Sequence, residues 1–161
     1  MNIKKMEQSD AVEIADCWKY DGEYGFYDMT EDPEDYEEIV TPEKRGDRYF
    51  SVFDKGVLIG FFCVEQEDGT IEIGLGLRPD LTGQGRGIAF LNEILRFVRE
   101  SYTFEKIRMD VASFNQRAIK VYERAGFVKT GTSQVHTNGG IYDFTLMELK
   151  LCNENKASDK T

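Results

Sequence analysis

Three glycines alternate through Gly83-Gln84-Gly85-Arg86-Gly87, with Thr82 just before them. The run joins a strand-like stretch, Thr70 to Leu77, to a helical apolar pattern of Ile88, Leu91, Ile94, Leu95 and Val98. Glycine at such a junction strips the backbone of side chains. Successive N–H groups can then converge on an anion at the positive end of the helix dipole. That chemistry suits a phosphate ester. The same residues also make a turn that binds nothing, and this segment alone does not separate the two readings.

A second segment runs from Val111 through Asn115 and Tyr122 to Gly126-Phe127, and reads as strand end, helix and glycine stop. Asn115 and Tyr122 are two helical turns apart and share a face, with the small Ala118 between them. Gly126 ends the helix, and Phe127 can pack back beneath it.

Together the two segments resemble the GNAT superfamily of N-acetyltransferases. Its acetyl-CoA signature is Arg/Gln-x-x-Gly-x-Gly/Ala, followed by a strand and an Asn-x-x-Ala-x-x-x-Tyr-x-x-x-Gly-Phe helix. This chain departs from it at Thr82, where an uncharged hydroxyl stands in the place of Arg or Gln. The resemblance implies acetyl-CoA as co-substrate and direct acetyl transfer to a primary amine in a ternary complex. Thr82, Gly83, Gln84, Gly85, Arg86, Gly87 and Ile88 would wrap the pyrophosphate. Leu75 and Leu77 would offer backbone groups to pantetheine, Asn115 would hold pantetheine or only cap its helix, and Tyr122 would protonate the CoA sulfur. It also implies two parallel strands, ending at Leu77 and Val111, that splay apart around the cofactor.

Acetylating an amine requires removing a proton from an ammonium whose pKa lies near ~10. Glu72 is placed by the resemblance as the water-linked base; it shares a strand face with Gly74 and Gly76, glycines that suggest a bulge or close backbone approach. An ordinary exposed strand glutamate is the competing reading, and for Tyr122 the competing reading is a packed, half-buried tyrosine. An acyl-CoA sensor without turnover is the alternative from another class. The glycine pattern is Gly-x-Gly-x-Gly, which fits neither a dinucleotide fingerprint nor a P-loop.

The 161 residues carry a net charge of −10. Residues 21–43 hold ten acids and no Lys or Arg, so the excess lies in one segment. That argues against nucleic acid as a partner. The segment can line the acceptor mouth and attract a cationic amine, with Tyr24, Phe26 and Tyr27 stacking on it, or form a solvated flap. Cys17, Cys63 and Cys152 suggest neither disulfides nor a metal site, Cys63 reads as a buried thiol, and the single His136 anchors no metal. No apolar run approaches a membrane span, and a cytoplasmic setting is expected.

These residues need a scaffold. A strand at 2–6 precedes a helix capped by Ser9, then the acidic stretch with a short helix from Pro33. Strands at 48–53, 57–65 and 70–77 follow, then a helix at 85–102, a strand at 106–111, the Asn115 helix, and strands at 127–135 and 141–149. The order β-α-α-β-β-β-α-β-α-β-β predicts an α+β fold with a mixed central sheet. One domain is expected over residues 1–152, with a disordered polar tail at 153–161. A C-terminal edge strand leaves a homodimer open.

Overall fold

The computed structural model describes residues 1–151; the expected tail lies outside the described residues. Seven strands form one mixed sheet: β1 (Asn2–Lys5), β2 (Tyr49–Asp54), β3 (Val57–Glu67), β4 (Thr70–Leu77), β5 (Lys106–Ala112), β6 (Val128–Thr137) and β7 (Gly140–Lys150). Their spatial order is β1-β2-β3-β4-β5-β7-β6. All neighbours are antiparallel except β4 and β5, which run parallel. Five helices flank the sheet: α1 (Gln8–Cys17), α2 (Pro33–Val40), α3 (Pro42–Arg45), α4 (Gly87–Ser101) and α5 (Gln116–Arg124). Among the described residues no helix is long and apolar enough to cross a membrane.

Alternation along the strands builds two cores. One face of the sheet sends Phe50, Val52, Phe62, Val64, Ile71, Ile73, Ile107 and Met109 toward α4 and α5. Helix α4 answers with Phe90, Leu91, Ile94, Leu95 and Val98, the apolar stripe of its sequence, all buried. Each such side chain contributes about 1.5–3 kcal/mol by leaving water. The other face sends Tyr49, Leu58 and Phe61 toward Ala11, Ile14, Ala15 and Trp18 of the α1 region and Ile39 of α2.

The parallel pair is incomplete. Thr70, Ile71 and Glu72 pair with Lys106, Ile107 and Arg108, and there the pairing stops. β4 keeps its full register with β3, and β5 keeps its full register with β7. The centre of the sheet therefore opens in the direction of Leu77 and Ala112, the splay that the sequence led us to expect.

Several local expectations are corrected. Helix α1 begins at Gln8 with Glu7 before it and no side-chain cap, so Ser9 lies inside the helix. A further helix, α3, starts at a second proline, Pro42, and the 22–31 stretch winds into two 3-10 turns. The glycines of β4 make no bulge. They are needed because side chains of β3 lie on them: a Cβ on Gly76 would stand 2.4 Å from the Phe61 ring, and one on Gly74 3.1 Å from Cys63 Sγ.

Gly60 of β3 is the tightest point against α4. A Cβ there would meet the Phe90 ring at 2.5 Å and the Gly76 carbonyl oxygen at 2.9 Å. Gly60→Ala should destabilise the chain by about 2 kcal/mol through overpacking. Thermal unfolding followed by circular dichroism should show a midpoint lower by roughly 4–8 °C.

Candidate active site

The gap between β4 and β5 continues into a cleft of about 640 Å³ that passes through the sheet. Its walls come from β4, β5, the glycine loop, α5, and parts of the stretch between α1 and α2, among them Tyr24, Phe26, Tyr27, Asp28 and Asp32. Strand alternation turns the N–H and C=O groups of Leu75 and Leu77 away from β3 and toward the gap. One of them is engaged: the Tyr20 hydroxyl donates to the Leu77 carbonyl oxygen at 2.7 Å.

On the loop side, Gly83 (φ +71°) and Gly85 (φ +74°) hold the left-handed conformation that glycine tolerates. A Cβ on Gly85 would meet nothing within 4 Å, so a ligand can lie against the backbone there. The first turn of α4 has no side-chain cap, which leaves its N–H groups open to an anion. Thr82, Gly83, Gly85, Gly87 and Ile88 line the cleft; Gln84 and Arg86 do not. Gln84 donates to the Asp80 carbonyl at 2.7 Å, and Arg86 reaches Asp54 at 3.5 Å. The Thr82 hydroxyl donates to the Pro79 carbonyl at 2.7 Å, closing its own turn.

Helix α5 brings Asn115, Ala118 and Tyr122 to the same cleft, as their spacing required. Asn115 is the helix cap, its Oδ1 accepting from the Ala118 N–H at 3.1 Å, while its Nδ2 donates to the Tyr27 hydroxyl at 3.0 Å. Tyr122 is only 8% exposed. Its hydroxyl has no hydrogen-bond partner among the described residues, yet it is not sealed from the cleft. Burial, with a smaller push from Tyr27, raises its pKa, so the phenol keeps its proton through neutral pH.

Glu72 stands elsewhere. It occupies the last paired rung of β4, where Arg108 Nη2 holds its carboxylate at 2.6 Å, and it does not line the cleft. The carboxylates that do line it come mainly from the acidic segment: Asp28, Asp32, Asp35 and Glu38, with Asp110 from β5. Asp32, Asp35 and Glu38 repeat every three residues and so share one face of α2. Glu38 is bound by Arg48 and by the Tyr49 hydroxyl at 2.9 Å. Asp32 caps α2 through the Glu34 and Asp35 N–H groups, and its other oxygen accepts the Thr137 hydroxyl at 2.7 Å. That last bond is the main cause holding its carboxyl below the usual carboxylate range.

Asp35 has no hydrogen-bond or ion-pair partner for its carboxylate among the described residues. Asp35 is exposed as a residue, but partial desolvation of its carboxyl against the cleft wall and the neighbouring Asp32, Glu38 and Glu34 push its pKa up to about 6. Periodicity on α2 carried the signal for this trio, but the choice of face needed the tertiary packing. Cys63 also lines the cleft, and burial pushes its thiol up to about 11, which keeps it from acting as a nucleophile.

Tyr24, Phe26 and Tyr27 all line the cleft and cluster with Phe114 at centroid distances of 5.6–6.0 Å. Phe26 also meets Tyr142 at 4.9 Å. Asn138 of the β6–β7 turn donates to the Phe26 carbonyl at 2.6 Å, so the hairpin tip pins this wall in place.

A model of the acetyltransferase (GNAT) family matches residues 12–127. The SPbeta prophage-derived uncharacterized N-acetyltransferase YokL of Bacillus subtilis is 27% identical over 106 residues, 63% of this chain and 60% of that protein. Mycothiol acetyltransferase of Propionibacterium freudenreichii is 38% identical over 82 residues, 48% of this chain and 26% of that one. Each match spans less than two thirds of the curated relative. Among solved structures, spermidine N-acetyltransferase from Vibrio cholerae in complex with CoA and spermine has a TM-score of 0.73 at 22% identity, covering 92% of this chain and 94% of that one. A phosphinothricin acetyltransferase from Sinorhizobium meliloti in complex with acetyl-CoA has a TM-score of 0.67 at 18% identity, covering 94% and 89%. Those structural likenesses speak for the fold, while the family match covers most of the sequence. The chain belongs to the GNAT family of acetyltransferases.

Proposed function

We propose that this chain transfers an acetyl group from acetyl-CoA to a small cationic primary amine in a ternary complex. The observation that carries the reading is the buried, unpartnered Tyr122 hydroxyl inside the gap between β4 and β5. The site fits the co-substrate: Gly85 leaves an open cradle, the first turn of α4 is uncapped, and Leu75 offers backbone groups at the gap. Acetyl-CoA supplies a thioester whose acetyl carbon exchanges its bond to sulfur for a bond to the amine nitrogen.

Thr82, Gly83, Gly85, Gly87 and Ile88 hold the phosphate end, and Ala118 leaves room beside the pantetheine arm. Tyr122 keeps its proton at neutral pH and delivers it to the departing sulfur, a service general acids perform at about 10²–10⁴-fold in rate. The amine arrives from the α2 side, past Asp28, Asp32, Asp35 and Glu38. Among the described residues no three His, Cys, Asp or Glu side chains are placed to hold a metal ion. Carboxylates spread along a wall in this way suit an extended organic cation better than a compact one. Tyr24, Phe26 and Tyr27 supply the apolar floor against which its chain can lie. Asp35, the cleft carboxylate without a partner among the described residues, takes the ammonium and then its proton, directly or through water. A spermidine N-acetyltransferase in complex with CoA and spermine, among the structural neighbours, supports an amine of this kind.

Tyr122→Phe should lower kcat by about 100-fold or more while leaving acetyl-CoA affinity unchanged. Thiol release in the steady state and calorimetry check the two halves. An unchanged kcat would remove the acid role.

Asp35 gives a pH signature. Because it is a carboxylate only above about pH 6, kcat/KM for the amine should fall as pH drops through 6. Asp35→Asn should raise KM and abolish that limb. The folded state also holds this proton more tightly than the unfolded chain does. The stability Asp35 contributes is therefore full below the ordinary carboxylate range and lost as pH rises through about 6. Asp35→Asn should thus melt above wild type at pH 7.5 and level with it at pH 3.

A further inference from the structure

We propose that Arg117 is the cation that binds the pyrophosphate of acetyl-CoA, reaching it from α5 and not from the glycine loop; this rests on the acetyl-CoA reading above. Backbone N–H groups alone bring no net charge to a dianionic ligand, so a cation is wanted beside them. The loop itself has none to give. Arg78 is held by Asp80 at 2.6 and 3.2 Å and donates to the Leu58 carbonyl at 3.2 Å. Arg86 leans toward Asp54, and neither arginine lines the cleft. Thr82 and Gln84 spend their donors on the Pro79 and Asp80 carbonyls of the loop's own backbone.

Helix α5 lies along this loop. Arg117, Val121 and Arg124 share one face of it, at the i, i+4 and i+7 positions. A Cβ on Gly87 would touch Val121 at 3.3 Å, and a Cβ on Gly83 would touch Arg117 Nη1 at 3.3 Å. The guanidinium therefore borders the left-handed turn where the loop N–H groups are exposed. Among the described residues Arg117 has no ion-pair partner, and Arg117 and Arg124 are the two basic side chains lining the cleft. Its plane is steadied by the Tyr24 ring, 4.1 Å from Cζ to centroid. A contact through the flat face leaves the in-plane N–H donors free for a bidentate anion. The unpartnered Tyr122 hydroxyl, buried in the same cleft on the same helix, independently marks this channel as one that expects a ligand.

Calorimetry of the whole chain with CoA and with CoA lacking its 3′-phosphate tests the assignment without turnover. Arg117→Gln should weaken both ligands equally, by about 10-fold or more, the usual worth of a charged hydrogen bond. Arg117→Lys keeps the charge but gives up the planar fork and its stack, and should bind both ligands with an affinity between those of wild type and Arg117→Gln. Unchanged affinity in Arg117→Gln would overturn the proposal. So would a loss confined to intact CoA, which would move Arg117 to the 3′-phosphate. A Lys variant as weak as the Gln variant would overturn it too, because the stack on Tyr24 and not the charge would then matter. If wild type bound neither ligand, the acetyl-CoA reading would fail first and the Arg117 role with it.

Discussion

Everything in this molecule depends on where two parallel strands stop pairing. β4 and β5 part after the rung of Glu72 and Arg108, in the middle of a seven-stranded sheet. A buried strand edge is costly, since each unpaired N–H or C=O forfeits hydrogen bonding that water or a neighbour would give. The surroundings answer that cost directly. The Glu72–Arg108 ion pair stands at the point of divergence, and Arg108 also approaches Asp110 at 3.5 Å. Farther along, the Tyr20 hydroxyl takes the Leu77 carbonyl. The outer partners β3 and β7 keep full register, so the opening is confined to one seam and does not loosen the sheet.

The cleft carries charge of both signs. Arg117 and Arg124 of α5 line it, and so do Asp28, Asp32, Asp35 and Glu38. Only Glu38 of those four is neutralised by an arginine, and that arginine, Arg48, is shared with Glu65. A ligand with an anionic end and one with a cationic end would each find complementary charge in this cleft.

Much of this was legible in the residues themselves. The helical stripe of α4, the glycine turn, and the seven-residue spacing from Asn115 to Tyr122 are local signals, and the fold kept each of them. What the sequence hid was tertiary. Glu72 alternates correctly along β4, but cross-strand pairing with Arg108 claims it. Gly74 and Gly76 suggest a bulge or a close backbone approach; there is no bulge, and it is the Cys63 and Phe61 side chains of the neighbouring strand that crowd them. Ser9 has the right chemistry for a cap, yet the helix begins before it. Asp35 is one of ten acids in residues 21–43, and nothing local distinguishes it as a cleft carboxylate with no partner among the described residues.

Residues 20–45 supply one wall of the cleft without contributing a strand to the sheet. They are tied down by side chains at a few points: Tyr20 to Leu77, Tyr27 to Asn115, Phe26 and Asp32 to the β6–β7 tip, and Ile39 in the core. The sheet and this wall of the cleft are thus written in separate stretches of chain. Mutation can redraw the wall while the sheet and the glycine turn persist, so a lineage built on this plan can reshape its cleft without passing through an unfolded ancestor.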